Sequence, residues 1–189
     1  MRMVWAAPVA CTAALLSGCS TTPANPQVKQ LHQEVRQLNQ QMSHLTTQAS
    51  AIETQSQLNT NSSRGAWLVP RASTPVELQT RVGTLRLSLT RIESEASGAR
   101  ANLVIHATDE QPVPALHASI VWGELDPATG KPLEASSLSQ TINVPATLLP
   151  RSSVTVPLRL SGVAPGQLGF VRVHDVTGDA PTDSTPSAR

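Results

Sequence analysis

Between Gly65 and Val176, apolar and polar residues alternate with a period of two in a series of short runs. Successive side chains of a strand point to opposite faces of a sheet, so each run predicts a strand with one buried face. The runs are Ala66–Val69, Thr84–Ile92, Ala101–Ala107, Leu116–Trp122, Ser139–Val144, Val154–Leu160 and Gly169–Val176. Turn-forming Gly, Pro, Asn and Asp lie between them. About seven short strands without a long helix predict a mainly β fold, an immunoglobulin-like antiparallel β-sandwich over residues 65–176.

Three residues of these runs carry additional information. Pro157 lies on the outer face of its run and lacks a backbone N–H, which predicts an edge strand or a bulge. Trp122 shares its face with Ile120 and Ala118 and is therefore predicted to lie in the core. Trp67 lies beside a linker, where it is either a core residue or an exposed ligand contact.

In residues 27–57 the apolar residues follow a helical period instead of a period of two. These residues come after Asn25-Pro26, a pair typical of a helix start. Apolar residues recur there at alternating spacings of three and four, which gives a and d positions over about four heptads. Positions a hold Val28, Val35, Met42 and Ala49, and positions d hold Leu31, Leu38, Leu45 and Ile52. The next a and d residues are Ser56 and Asn59, so the stripe ends there, and residues 58–64 form an Asn/Ser/Thr-rich linker.

Two interpretations of this stripe remain open. The helix either self-associates as a coiled coil, making the chain a homo-oligomer, or folds as an amphipathic helix onto its own domain. The narrow a/d stripe with Gln-rich flanks favours the coiled coil, with a lone spacer helix as a further alternative. His32 and His44 lie off the seam and are interpreted as solvated residues.

The N-terminus predicts a lipoprotein. Arg2 is followed by a mostly apolar run, and Leu16-Ser17-Gly18-Cys19 has the small residues that precede a lipid-accepting cysteine. We therefore expect a signal peptide at residues 1–18, lipidation of Cys19 and a polar tether at residues 19–26. Ser20, where an inner-membrane retention signal has Asp, predicts the outer membrane of a Gram-negative cell, with the chain facing the periplasm.

Signal-peptide cleavage and lipidation would leave the mature chain without a free cysteine thiol. The chain has two cysteines, of which Cys11 lies in the signal peptide and Cys19 would carry lipid. Acyl chains contribute about 0.8 kcal/mol per buried methylene, so the membrane is the first expected partner. The net charge is +1 with 14% charged residues, which leaves no basic patch for nucleic acid.

The β-region contains few residues that suggest catalysis. Histidines and acidic residues occur there as His106, His117, His174, Asp109, Glu110 and Asp175. They lack metal-ligand spacing, and neither a nucleophile elbow nor a phosphate-binding loop occurs. His106 and His117 are expected on the polar faces of two strands that are candidate neighbours. We therefore predict no catalytic residues, no metal, no cofactor and no enzyme activity, although a carboxylate-pair hydrolase stays an alternative.

Two blocks of the chain resemble a known family, the YajI lipoproteins of enterobacteria. The first block contains Leu58–Pro70, Thr74-Pro75 and Val82–Leu89, and the second contains Ile142–Ala146, Pro157–Leu160 and Gln167–Asp175. The resemblance implies an outer-membrane lipoprotein with a compact β-sandwich of unassigned function, and it supplies no catalytic residues. The chain departs from the pattern in the loop at Asp126–Pro132 and in the Thr177–Arg189 tail, which is rich in Thr, Asp, Pro and Ser and predicted to be disordered.

The predicted function is therefore a non-enzymatic interaction or envelope-assembly module, with an envelope protein or peptidoglycan as further partners. One alternative is a peptidoglycan- or glycan-binding module that uses Trp67 with Arg64, Arg71 and Arg81, although these arginines are expected to be solvated. The other alternative is an envelope hydrolase with a carboxylate or histidine pair.

Overall fold

A computed structural model describes residues 26–60, 64–145 and 147–178. The predicted signal peptide, Cys19 and the end of the tail lie outside these residues. The chain has two compact units, residues 1–41 and 42–189. One α-helix comes first in the described part, and eight strands follow it.

Helix α1 extends over Pro26–Thr60, 35 residues, and contains the segment predicted from the heptads. Pro26 stands in its first turn, where the missing N–H costs no helical hydrogen bond. Gln occurs nine times and Leu four times in the segment, and both are good helix formers. The helix continues past Ile52, where the apolar stripe ends, because contacts with the sandwich replace the stripe there.

The strands form two antiparallel four-stranded sheets, which confirms the predicted β-sandwich. The strands are β1 (Gly65–Leu68), β2 (Val76–Thr80), β3 (Gly83–Glu95), β4 (Gly98–Ala107), β5 (Leu116–Gly123), β6 (Leu138–Val144), β7 (Ser153–Ser161) and β8 (Phe170–Gly178). One sheet has the order β1-β8-β5-β6 and the other has the order β2-β3-β4-β7.

The core lies between the two sheets and contains many of the residues that the alternation predicted to face inward, together with loop residues such as Val113, Leu148 and Leu168. Leu85 and Leu87 of β3 and Leu103 and Ile105 of β4 are all at most 1% exposed. Trp122 of β5 is also buried, as predicted, and its indole Nε1 donates to the Ser161 carbonyl at 3.0 Å. Because Ser161 belongs to the opposite sheet, this hydrogen bond ties the two sheets together.

Pro157 lies in β7, which is an edge strand as predicted. A proline there removes a donor without breaking the pairing of β7 with β4. It also makes the edge a poorer template for pairing with another chain.

One strand, β2, was not predicted. Its five residues pair with β3 from Val76↔Leu87 to Thr80↔Gly83. The strand has only two apolar residues, Val76 and Leu78, and both are half-buried. Its place in the sheet therefore comes from pairing with the long strand β3 more than from its own pattern.

Candidate functional site

The apolar stripe of the helix is exposed along its whole length. In residues 26–41, Val28, Leu31, Val35 and Leu38 are 46% to 58% exposed. In residues 42–60, Met42, Leu45 and Ile52 are 40% to 63% exposed. Exposed apolar residues in a contiguous row indicate a surface that binds another protein or a membrane.

A different face of the helix contacts the sandwich. Ala51 and Gln55 are buried, and Gln48, Leu58 and Asn59 are half-buried. At 100° per residue, this face lies roughly 100° around the axis from Met42, Leu45 and Ile52. The interpretation that the stripe itself folds onto the domain is therefore wrong for residues 42–60, because polar and small residues make that contact.

Side-chain amides make the contact with the sandwich. The Asn59 amide donates from Nδ2 to the Trp67 carbonyl at 2.8 Å, and its Oδ1 accepts from the Trp67 N–H at 2.9 Å. The Gln55 Oε1 accepts from the Val69 N–H at 2.8 Å, and its Nε2 donates to the Thr74 hydroxyl at 2.8 Å. We call Gln55 and Asn59 the amide clasp. It satisfies the outward-facing backbone groups of Trp67 in β1 and the N–H of Val69 just after this strand.

Trp67 belongs to a small cluster on the outer face of the β1-containing sheet. Its ring centroid lies 5.1 Å from that of Phe170, and the Arg172 guanidinium lies 4.8 Å from the Trp67 ring centroid. Trp67 is half-buried and also lines a cavity of about 310 Å³ with Leu58 and Lys131. Because Arg172 already covers the ring where a sugar would stack, this geometry does not favour glycan binding.

The three arginines of the glycan hypothesis do not join Trp67. Arg71 donates from Nη2 to the Gly166 carbonyl at 2.9 Å. Arg64 and Arg81 line a separate cavity of about 750 Å³ with Asp175. All three arginines are exposed, as expected for solvated residues.

The histidines do not assemble into a catalytic group. His106 lies in β4 and His117 in β5, which belong to different sheets, so the expectation that their strands are neighbours is wrong. Residues 108–115 carry the chain from one sheet to the other, so His106 and His117 lie in different sheets. His174 Nδ1 lies 2.7 Å from Asp175 Oδ2, but among the described residues this pair has no hydrogen bond to a serine or threonine hydroxyl.

The described ranges also contain no group of three or more His, Cys, Asp or Glu placed to hold a metal ion. Within the same ranges, no helix combines the length and apolar character needed to cross a membrane. His32 and His44 are exposed on the helix, as interpreted from the sequence.

The loop at residues 126–132 is organised by one carboxylate. Asp126 Oδ1 accepts hydrogen bonds from the N–H of Thr129 at 2.8 Å, the Thr129 hydroxyl at 3.0 Å and the N–H of Ala128 at 3.0 Å. These bonds, led by the Thr129 N–H, lower the pKa of Asp126 below its ordinary value of 3.8. The neighbouring residues Thr129, Gly130 and Lys131 line the cavity beside Trp67.

The hydrogen bonds to Asp126 should therefore persist to a lower pH than an ordinary aspartate would allow. A carboxylate with a lowered pKa stabilises the fold above its unfolded-state pKa, and this contribution disappears as the pH falls through the folded-state value. Following the Asp126 carboxyl by NMR should give a midpoint below 3.8. The Asp126→Asn variant keeps one acceptor oxygen and should show no such transition. A wild-type midpoint at or above 3.8 would contradict this account of the loop.

Three residues important in this region were missed from the sequence. Gln55 and Asn59 look like solvated residues in a Gln-rich helix, and only the folded contact identifies them. Arg172 could have been suspected, because it shares a strand face with Phe170.

Comparisons with known proteins agree with this fold. A family profile described as "Protein of unknown function (DUF3251)" matches residues 23–182. The uncharacterized lipoprotein YajI of Escherichia coli K12 is 39% identical over 121 residues, which cover 64% of this chain and 68% of YajI. The solution NMR structure of YajI from Escherichia coli superposes with a TM-score of 0.67 at 34% identity, covering 76% of this chain and 85% of that one.

A more distant structure has the same fold. The trimeric lipoprotein SadB of Salmonella enterica superposes with a TM-score of 0.54 at 20% identity, covering 82% of this chain and 86% of SadB. The resemblance to YajI lipoproteins noted in the two sequence blocks is confirmed by the YajI comparisons. Since the family profile spans most of the sequence, the chain belongs to the DUF3251 family.

Proposed function

We propose that this chain is a lipid-anchored lipoprotein of the outer membrane that faces the periplasm and acts, without enzymatic activity, as a homo-oligomeric assembly module. The observation that carries the proposal is the exposed a/d stripe of α1. A different face of the helix contacts the sandwich, so the stripe is left available for other copies of the chain.

The anchor determines how the copies would be arranged. Cys19 precedes the helix by a short tether, and the relatives YajI and SadB are both named lipoproteins. Chains lipidated at this cysteine all begin at the same membrane surface, so their helices run parallel. Tethering also raises the effective concentration of each helix for its neighbours, which strengthens a short coil.

The seam supplies apolar surface that association would bury. Leu31, Leu38 and Leu45 are 57% to 63% exposed in the single chain. Burying a leucine side chain completely contributes roughly 1.5–3 kcal/mol, part of which offsets the entropy cost of association. We adopt three copies as the proposed state, because SadB is described as trimeric. Val at a with Leu at d is also typical of two-stranded coils, so a dimer is the competing outcome.

Crosslinking in cells tests this arrangement. Under the proposal the mature chain has no free thiol, so an introduced cysteine is the only reactive one. Leu38→Cys at a seam position should give a crosslinked species with a short bismaleimide. Ser43→Cys, exposed on the same helix but off the seam, is the matched control and should stay uncrosslinked. Equal crosslinking of both variants, or of neither, would contradict pairing through the stripe.

A further inference from the structure

The outer edge of β1 is held by side chains rather than by another strand. β1 has four residues and lies at the end of its sheet, paired on one side with β8. On the other side, the Trp67 N–H and carbonyl and the Val69 N–H all bond to the amide clasp. On this edge Trp67 therefore has the hydrogen bonds that a neighbouring strand would supply, and the N–H of Val69, the residue just after β1, is also bonded.

The clasp reproduces the bonding of a neighbouring strand. Asn59 both accepts from the Trp67 N–H and donates to the Trp67 carbonyl, which is the paired exchange of a hydrogen-bonded residue pair in an antiparallel ladder. Two residues further along and just after β1, the Gln55 Oε1 accepts from the Val69 N–H, while the Val69 carbonyl accepts from the Ala72 N–H. A polypeptide in extended conformation presents the same groups at the same spacing.

The rest of the helix contact is small and loosely packed. Its buried apolar part consists of Ala51, Val69 and Ala72, with Leu58 partly buried against them. Cavities of about 590 Å³ and about 310 Å³ lie beside this contact, and Thr54 lines both of them. The contact of residues 42–60 with β1 therefore depends mainly on the amide hydrogen bonds.

We propose that the outer edge of β1 is an acceptor site for an extended polypeptide strand, which the amide clasp occupies in this state. A partner segment displaces the clasp and adds to β1 as a fifth strand, and its side chains occupy the surface where the two cavities lie. Addition of a strand to a sheet edge is a common mode of peptide recognition, with backbone hydrogen bonds supplying the affinity. This proposal does not depend on the coiled coil, which uses a different face of the helix.

A peptide-binding experiment tests the site. The probe is a fluorescein-labelled peptide with the sequence of β8, Phe170–Gly178, because this sequence already pairs with β1. The mature chain carrying Gln55→Ala with Asn59→Ala should bind it roughly tenfold more tightly than wild type in fluorescence polarisation. The control variant, Ser56→Ala with Thr60→Ala, changes exposed residues at the same spacing and should bind like wild type. The same peptide with methylated backbone nitrogens should not bind.

A wild-type measurement keeps the proposal testable if the clasp variant does not fold. The Trp67 and Val69 amides should exchange hydrogen roughly tenfold faster than those of Ala66 and Leu68, which face β8. Equal exchange rates would mean that the clasp opens only when the sheet opens, and would overturn the proposal. A folded clasp variant that does not bind the peptide, or binds the methylated peptide equally well, would overturn it too.

Discussion

Replacing Trp122 by alanine should lower the free energy of unfolding of the sandwich by about 3–5 kcal/mol. The side chain is 3% exposed and contacts both sheets. Its removal leaves a cavity in the core and leaves the Ser161 carbonyl without its indole donor. Urea denaturation at matched chain concentration gives the measurement, because oligomer formation makes apparent stability depend on concentration.

Phenylalanine at the same position separates the two contributions. Trp122→Phe keeps most of the buried volume but removes the N–H donor. It should therefore lower the free energy of unfolding by about 1–3 kcal/mol. An alanine variant as stable as wild type would mean that Trp122 does not join the two sheets as described here.

Placing aspartate at two seam positions should abolish assembly. Leu31→Asp with Leu38→Asp puts two carboxylates where the proposed coil is desolvated, and an unpaired buried charge is strongly unfavourable. The free energy of unfolding of the sandwich should equal that of wild type, because both substituted residues lie on the exposed stripe. The matched control is Gln33→Asp with Gln40→Asp, which adds the same charge at the same spacing on an exposed face away from the seam.

The period-two pattern predicted most of the sandwich because it reports burial directly. Leu85, Leu87, Leu103 and Ile105 alternate with polar residues, and all four lie in the core. The same pattern contains no information on which strands pair. His106 and His117 were therefore assigned to candidate neighbouring strands, although the chain crosses from one sheet to the other between them.

The helix contact could not be predicted for a different reason. Its essential residues, Gln55 and Asn59, are polar, and polar residues on a helix are ordinarily solvated. Their role is recognisable only in the folded structure, where they bond the backbone groups of Trp67 and Val69. Strand β2 was missed on similar grounds, since pairing with β3 positions it more than its two apolar residues do.

The mass of the intact protein, extracted from membranes in detergent and measured by native mass spectrometry, tests the central claim most directly. The proposed assembly predicts a complex of three chains, each carrying acyl chains on Cys19. The variant with aspartate at Leu31 and Leu38 should give the mass of one lipidated chain in the same detergent. A single wild-type chain under these conditions would contradict the claim that the exposed helix stripe assembles copies of this protein.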